Sequence, residues 1–196
     1  MTIRVLLLRL VRIVSVLALA SACGHVADDG SSTSWAACSL NSECTLAGKS
    51  CCEPCGMPTL AEVDAVNSSR LAEHRSALCP GPVVCAPCQV PSTKNPNLLA
   101  TCSNAVCHAE DVRTEPASAC ATDDDCRLRT ASCCECGGST ASDSLIAVNR
   151  SNESLYAALV CDRLQACPQC APIYPTDVTA HCATDGHCAI RAATAP

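Results

Sequence analysis

Large aromatic side chains are nearly missing from this chain of 196 residues. It contains no Phe, one Trp and two Tyr, although aromatic residues dominate the energetics of most protein cores. The hydrophobic share of 48% counts the cysteines and an apolar N-terminal stretch, and much of the rest is Ala, which buries little area. These shortages exclude one conventional hydrophobic core as the main source of stability, so covalent cross-links must supply much of it.

Basic residues are also scarce once the N-terminal stretch is set aside. Residues 1 to 22 hold three of the 13 Lys and Arg, which leaves 10 basic residues against 19 acidic ones. An excess of nine negative charges repels phosphate backbones and anionic lipids. The balance therefore excludes nucleic-acid binding and a basic membrane-binding patch.

Recognisable catalytic signatures are absent as well. The sequence contains no G-x-S-x-G and no HExxH, and no Cys/His signature of a nucleophile and its base. We therefore predict a non-enzymatic protein with no cofactor, no catalytic residue and no bound metal. The histidines are interpreted as surface or loop residues: His25, His74, His108, His181 and His187.

The chain also lacks a long hydrophobic run. Ile13 to Ala20 is apolar, but a membrane-spanning helix needs roughly 18 or more such residues. Residues 1 to 22 instead carry three arginines and no acidic residue in their first twelve positions and end in small residues, which is the pattern of an export signal. We therefore predict a cleaved leader and an exported protein.

The residues around the predicted cleavage site indicate a lipid anchor. The run Leu19-Ala20-Ser21-Ala22-Cys23 resembles the lipobox of bacterial lipoproteins, and this resemblance implies that Cys23 carries diacylglycerol and starts the mature chain. Several acyl chains, at about 0.8 kcal/mol per buried CH₂, anchor a protein durably. In that family Gly24, in place of Asp, points to the outer membrane. The alternative is ordinary cleavage that leaves Cys23 as a free thiol.

Cysteine is the residue present in excess. All 21 Cys follow the leader and make up about 12% of the mature chain, above the roughly 8–10% that marks a disulfide scaffold. Without Cys23 there remain two sets of ten, and a shift of 82 residues superposes seven of the ten pairs. The sets are Cys38, Cys44, Cys51, Cys52, Cys55, Cys79, Cys85, Cys88, Cys102 and Cys107, then Cys120, Cys126, Cys133, Cys134, Cys136, Cys161, Cys167, Cys170, Cys182 and Cys188.

This repetition predicts a small disulfide-rich fold of two tandem homologous modules, each with one helix plus short hairpin and loop segments. We expect a flexible tether over residues 23 to 37 and modules over 38 to 108 and 120 to 190. A linker of residues 109 to 119 separates the modules, and residues 191 to 196 form a tail. The closing cysteine pair of each module is expected in a tight hairpin.

Helical patterns mark the middle of each module. Thr59 to Glu62 fits a capping box, and Ala, Leu, Glu and Arg are frequent from there to Leu78. In the second module Asp143 to Val160 has apolar residues at about helical spacing. Asn67 and Asn149 interrupt the two patterns at equivalent places, and we interpret them as residues that bond the backbone or lie on a helix face.

The opening of each module, C-x-x-[ND]-x-[ED]-C, predicts a turn. Asn41 and Asp123 lie at equivalent positions there, and their short side chains suit bonds to nearby backbone. Asp123 to Asp125 could also hold Ca²⁺, but consecutive acids do not alternate as a Ca²⁺ loop requires. We favour a solvated turn.

Three chemistries are open to the cysteines. Disulfides fit an exported chain with ten cysteines in each module, although ten cysteines allow 945 pairings and none is chosen. The neighbours Cys51 and Cys52 are expected to bridge to different partners, as are Cys133 and Cys134, because a bond between adjacent residues strains the peptide. The alternatives are zinc binding or thiol exchange through C-x-x-C pairs such as Cys52 and Cys55.

Two resemblances suggest functions. The opening C-x5-C-x6-CC-x2-C resembles the whey acidic protein four-disulfide core, which implies protease inhibition by an exposed loop. The complete ten-cysteine pattern is similar to uncharacterised Cys-rich lipoproteins of bacterial envelopes. We predict a lipid-anchored envelope protein whose modules bind a protein or an envelope component, with contact loops at Gln89 to Ala100 and Ala171 to Thr179. Protease inhibition is the first alternative, and metal binding or thiol redox chemistry is the second.

Overall fold

A computed structural model of the chain describes residues 35–136 and 141–193, apart from the side chain of residue 142. The predicted leader, the lipid attachment at Cys23 and almost all of the predicted tether lie outside these ranges. Within them, neither of the two helices has the length and hydropathy needed to cross a bilayer.

The first half of the fold is made of two hairpin-like strand pairs and one helix. Strand β1 (Cys44–Gly48) pairs antiparallel with β2 (Val63–Asn67), and a 3-10 turn then leads into helix α1 (Leu71–Leu78). Strands β3 (Leu98–Ser103) and β4 (Val106–Asp111) form the closing hairpin. Its turn holds two residues with positive φ, as tight hairpin turns require.

The second half repeats this order of elements. Strand β5 (Cys126–Thr130) pairs with β6 (Leu145–Asn149), helix α2 (Glu153–Val160) follows, and β7 (Val178–Cys182) pairs with β8 (Cys188–Ala192). The register is also the same, because the first strand pair opens with a cysteine opposite an asparagine in each half. The prediction of a small disulfide-rich fold of helices and short hairpins is confirmed.

The predicted helices over Thr59 to Leu78 and Asp143 to Val160 are too long. The capping box at Thr59 is present, but it caps only a 3-10 turn (Leu60–Glu62), and strand β2 follows at once. In the second half the first apolar residues of the predicted stripe lie in β6 and only the last part is helical. The β-branched residues of these stretches favour strand, and their burial in a sheet outweighs the local helical spacing.

The apolar core of the second half draws one residue from the first. Tyr156, Ile146 and Val148 are fully buried there together with Val112, and Leu99 of β3 packs into the same cluster. The smaller clusters of the two halves consist mostly of cystine sulfurs and Ala. Disulfides thus occupy places that large side chains would fill in a conventional core.

The segment predicted as a linker, residues 109 to 119, has regular structure. Strand β4 runs to Asp111, and two 3-10 turns follow, Val112–Thr114 and Pro116–Ser118. Val112 and Ser118 are completely buried, and the Ser118 hydroxyl donates to the Val112 carbonyl over 2.6 Å. These buried turns connect the two halves through packed structure.

Ten disulfides join the cysteines, all within their own half. The pairing order is identical in the two sets of ten: first with ninth, second with tenth, third with sixth, fourth with seventh and fifth with eighth. Adjacent cysteines bridge to different partners, as predicted. The bridges are Cys38–Cys102, Cys44–Cys107, Cys51–Cys79, Cys52–Cys85 and Cys55–Cys88, then Cys120–Cys182, Cys126–Cys188, Cys133–Cys161, Cys134–Cys167 and Cys136–Cys170.

Candidate functional site

The disulfides bear on which of the three chemistries the cysteines perform. Three groups of cysteine sulfurs lie within 4.8 Å of one another, but each sulfur belongs to a disulfide, whereas zinc is held by thiolates. The C-x-x-C pair Cys52 and Cys55 does not close on itself, since the two residues bridge to Cys85 and Cys88. A redox C-x-x-C motif works by making and breaking a bond within the pair. The geometry therefore favours a structural role.

The two equivalent asparagines bond the backbone, as predicted. Asn67 accepts from the Ser69 N–H and donates to the Ala37 carbonyl over 2.7 Å. Asn149 makes the same pair of bonds, to the N–H of Ser151 and the carbonyl of Ala119. Each asparagine caps the 3-10 turn before its helix and fixes the segment that enters its half.

Asn41 and Asp123 lie in 3-10 turns but bond distant backbone, so the prediction of nearby partners was wrong. Asn41 accepts from the Cys102 N–H over 2.6 Å and donates to the Cys161 carbonyl in the other half. Asp123 accepts from the Cys182 N–H and from the Arg191 guanidinium. The backbone hydrogen bond from Cys182 is the main reason that the pKa of Asp123 is lowered.

A long exposed loop follows helix α1. Every residue from Pro80 to Lys94 is exposed, yet Cys85 and Cys88 fix the loop covalently to the β1–β2 connection. The Gly56 N–H also donates to the Val90 carbonyl. The Val84 side chain is 97% exposed and those of Val83 and Val90 more than half. The loop therefore presents apolar side chains on a fixed backbone.

The second half has a corresponding exposed loop, from Arg163 to Ala171. Cys167 and Cys170 fix it in the same way as the first. Leu164 is 97% exposed. Each half therefore offers one nearly bare aliphatic side chain between two bridged cysteines.

The contact loops expected from the sequence are only partly available. The loop Gln89 to Ala100 is exposed only as far as Lys94, because Asn95 is buried and strand β3 begins at Leu98, whose side chain packs inward. The exposed surface lies instead on the earlier part of the segment. The sequence could have indicated this, because Pro80 to Val84 contains no polar side chain.

The loop Ala171 to Thr179 is held down by an ionic cluster. Tyr174 donates to Glu135, which is also bound by the Arg127 guanidinium at 2.5 Å. Arg127 contacts Glu153 of helix α2 as well. Burial and the hydrogen bond to Glu135 raise the pKa of Tyr174 to about 12. Four side chains thus fix this loop against β5 and α2.

Histidine 74 is buried, which corrects its interpretation as a surface or loop residue. It lies on α1 with 4% of its surface exposed, and its ring meets Trp35 edge to face at 5.3 Å between centroids. Its Nε2 lies 3.5 Å from an Asp64 carboxylate oxygen, and Lys49 Nζ lies 3.8 Å from the other. These four side chains line a cavity of about 360 Å³. Comparison of the two halves in sequence does not reveal this cavity, because the position equivalent to His74 in the second half is a tyrosine and not a histidine.

Three other histidines lie in different surroundings. His187 Nδ1 lies 2.9 Å from the hydroxyl of the buried Ser118. His181 Nδ1 is buried and, among the residues that the structure describes, has no hydrogen-bond partner. His108 is exposed at the rim of the cavity beside His74. Ser118 is completely buried and its hydroxyl donates to the Val112 carbonyl, so its contact with His187 does not present an accessible nucleophile.

Comparisons with known proteins add no assignment to this geometry. No protein family model matches the chain, and no curated protein and no solved structure matches it either.

Proposed function

We propose that this chain is an exported, lipid-anchored protein of the cell envelope. It consists of two tandem homologous modules and acts without catalysis as a protein-binding module. The lipobox-like residues before Cys23 support the anchor, and the shared pairing order of the two cysteine sets supports the duplication. Ten disulfides indicate an oxidising, extracellular compartment, because such bridges persist only where thiols are not kept reduced.

The observation that carries the binding function is the exposed, covalently fixed loop Pro80 to Lys94. A flexible loop loses conformational entropy when it binds, at about 0.5–1.5 kcal/mol per ordered side chain. Here Cys85 and Cys88 already restrict the backbone. Full burial of a Val side chain such as Val84 contributes about 1.5–3 kcal/mol. The loop is therefore suited to an apolar recess on a partner protein.

The proposal is tested by photo-crosslinking in the native envelope. A photoreactive amino acid at position 84 is expected to give one discrete protein adduct, and the same residue at position 72 gives none. Ala72 is the matched control because it is also exposed and apolar but lies on helix α1. Val83→Asp should abolish the adduct from position 84. Equal adducts from both positions, or none, would refute loop-mediated binding.

Protease inhibition is a second candidate, favoured by the position of Val84. The residue directly precedes Cys85 in a loop bordered by two bridges, so cleavage there would leave both product ends covalently held. Such a loop suits a protease that accepts small aliphatic side chains before the scissile bond. Inhibition of an elastase-type protease should be lost in Val84→Lys and gained against a trypsin-type protease. Inhibition of neither enzyme class by either form removes this candidate.

A further inference from the structure

The cavity beside His74 lies where the second half has its apolar core. The shift of 82 residues that aligns the cysteines relates four cavity residues to four members or neighbours of that core. In the second half these positions are apolar except for one tyrosine hydroxyl, which donates to a backbone carbonyl. The pairs are Trp35 and Ala117, Lys49 and Ala131, Asp64 and Ile146, and His74 and Tyr156.

The polar groups of the cavity face a shared space. His74 is almost fully buried at its floor, whereas Asp64 and Lys49 are each a little over 40% exposed. None of these three side chains makes a direct hydrogen bond within the described residues; their closest approaches are the two contacts of 3.5 and 3.8 Å to Asp64. Because Asp64 and Lys49 remain partly exposed, their hydrogen-bonding groups are accessible to an occupant of the cavity.

The charges of the cavity select against an ionic occupant. Lys49 and Asp64 carry opposite formal charges and lie next to each other, so a ligand of either sign would meet one like charge. Together the groups offer both donors and acceptors: Lys49 donates, Asp64 accepts, and His74 adds two ring nitrogens. Trp35 supplies an apolar surface with a polar edge. A neutral ligand that has hydroxyl groups and an apolar face matches this set.

We propose that the cavity binds a neutral hexose ring or the hexose unit of a neutral glycan. The volume of about 360 Å³ lies at the small end of ligand pockets and admits one ring. Ring hydroxyls donate to Asp64 and accept from Lys49, and the C–H face of the ring packs against Trp35. The cavity is separate from the exposed loops, so the proposal of hexose binding can be tested independently of the proposal of protein binding.

The chain's one tryptophan gives a built-in reporter, because Trp35 lines the cavity. Trp fluorescence of the full-length protein in detergent is followed during titration with methyl glycosides of glucose, galactose and mannose. A ligand of this size should saturate with a Kd on the order of 1 mM. Glucuronate and 6-amino-6-deoxyglucose, which differ from glucose by a charge at one carbon, should bind at least about tenfold more weakly.

The matched variants are Asp64→Asn in the cavity and Glu73→Gln outside it. Both remove one exposed or half-exposed carboxylate, and Glu73 lies on α1 next to His74 but pairs with Arg70 at the surface. Asp64→Asn should weaken hexose binding about tenfold or more, as expected for a hydrogen bond to a charged group, and Glu73→Gln should leave it unchanged. The proposal is overturned by an absence of saturable fluorescence change with all three glycosides. Tighter binding of a charged analogue, or unchanged binding in Asp64→Asn, overturns it as well.

Discussion

Replacement of the Cys52–Cys85 disulfide by two serines should destabilise the fold less than its span in the sequence suggests. The bridge closes a loop of 33 residues, for which the chain-entropy relation gives about 3.7 kcal/mol at 25 °C. The neighbouring Cys55–Cys88 bridge remains, however, and already holds the same segments together. The ring that the second bridge then closes contains only residues 52 to 55 and 85 to 88.

For this ring of eight residues the same relation gives about 2.5 kcal/mol. The expected loss of unfolding free energy is therefore about 2.5 kcal/mol, measured by guanidinium denaturation with linear extrapolation. The full-length protein in detergent is compared with Cys52→Ser/Cys85→Ser, and mass spectrometry verifies the nine remaining bridges in the variant.

The second half provides a matched control for this measurement. Cys134–Cys167 also spans 33 residues, and with Cys136–Cys170 intact it closes a ring of nearly the same size. The corresponding double replacement should cost the same within about 0.5 kcal/mol. Losses near 3.7 kcal/mol in both halves would show that the bridges act independently and would refute the nested-ring reasoning. A loss near zero would show that the chain-entropy relation does not apply to this fold.

Three further predictions concern the second half and the turns between the halves. Tyr156→Phe should lower the free energy of unfolding in guanidinium by about 1 kcal/mol, because it removes the hydrogen bond to the Ala131 carbonyl. Tyr156→Ala should lower it by about 3–5 kcal/mol, because it leaves a cavity in the core. Equal losses in the two variants would contradict the packing described. Burial raises the pKa of Asp111, but hydrogen bonds from Arg113 outweigh it and the net pKa lies below 3.8. Its contribution to stability is therefore present above pH 3.8 and lost as the pH falls through the lowered value, and Asp111→Asn should flatten the acid limb of the stability profile. Burial likewise raises the pKa of Tyr174 to about 12, so stability should fall as the pH rises from 10 towards 12. A spectrophotometric titration of Tyr174→Phe should lack the earlier of the two phenolate steps, because burial raises the pKa of Tyr156 further still.

The sequence predicted the arrangement of the disulfides better than it predicted the secondary structure. Two sets of ten cysteines at nearly constant spacing indicated a repeated frame, and avoidance of adjacent bonds indicated different partners for Cys51 and Cys52. The pairing itself could not be read, since it depends on which strand ends meet in space. The segment from Leu60 to Leu78 was misassigned because local propensity favours helix, while pairing of β2 with β1 is a contact between distant residues.

The candidate sites were harder to predict than the frame. The loop Pro80 to Lys94 could have been chosen over Gln89 to Ala100 from its lack of polar residues before Cys85, but the burial of Leu98 and Leu99 depends on their packing. The sequence could not identify His74 as a site residue for a different reason. Its neighbours Trp35, Lys49 and Asp64 come from three separate segments of the chain, and only the fold brings them together.

The disulfide frame explains how one half can carry a polar cavity where the other has a core. A polar group without a strong hydrogen bond at a core position costs about 1–3 kcal/mol, which is a large share of the stability of most small domains. In this chain each half is held by five bridges, and each bridge contributes on the order of 2–4 kcal/mol before overlap is counted. The residue at position 74 therefore does not need to fill a hydrophobic core, as Tyr156 does at the equivalent position of the second half. A fold stabilised covalently can thus hold different residues at equivalent central positions with little penalty, such as His74 in one half and Tyr156 in the other.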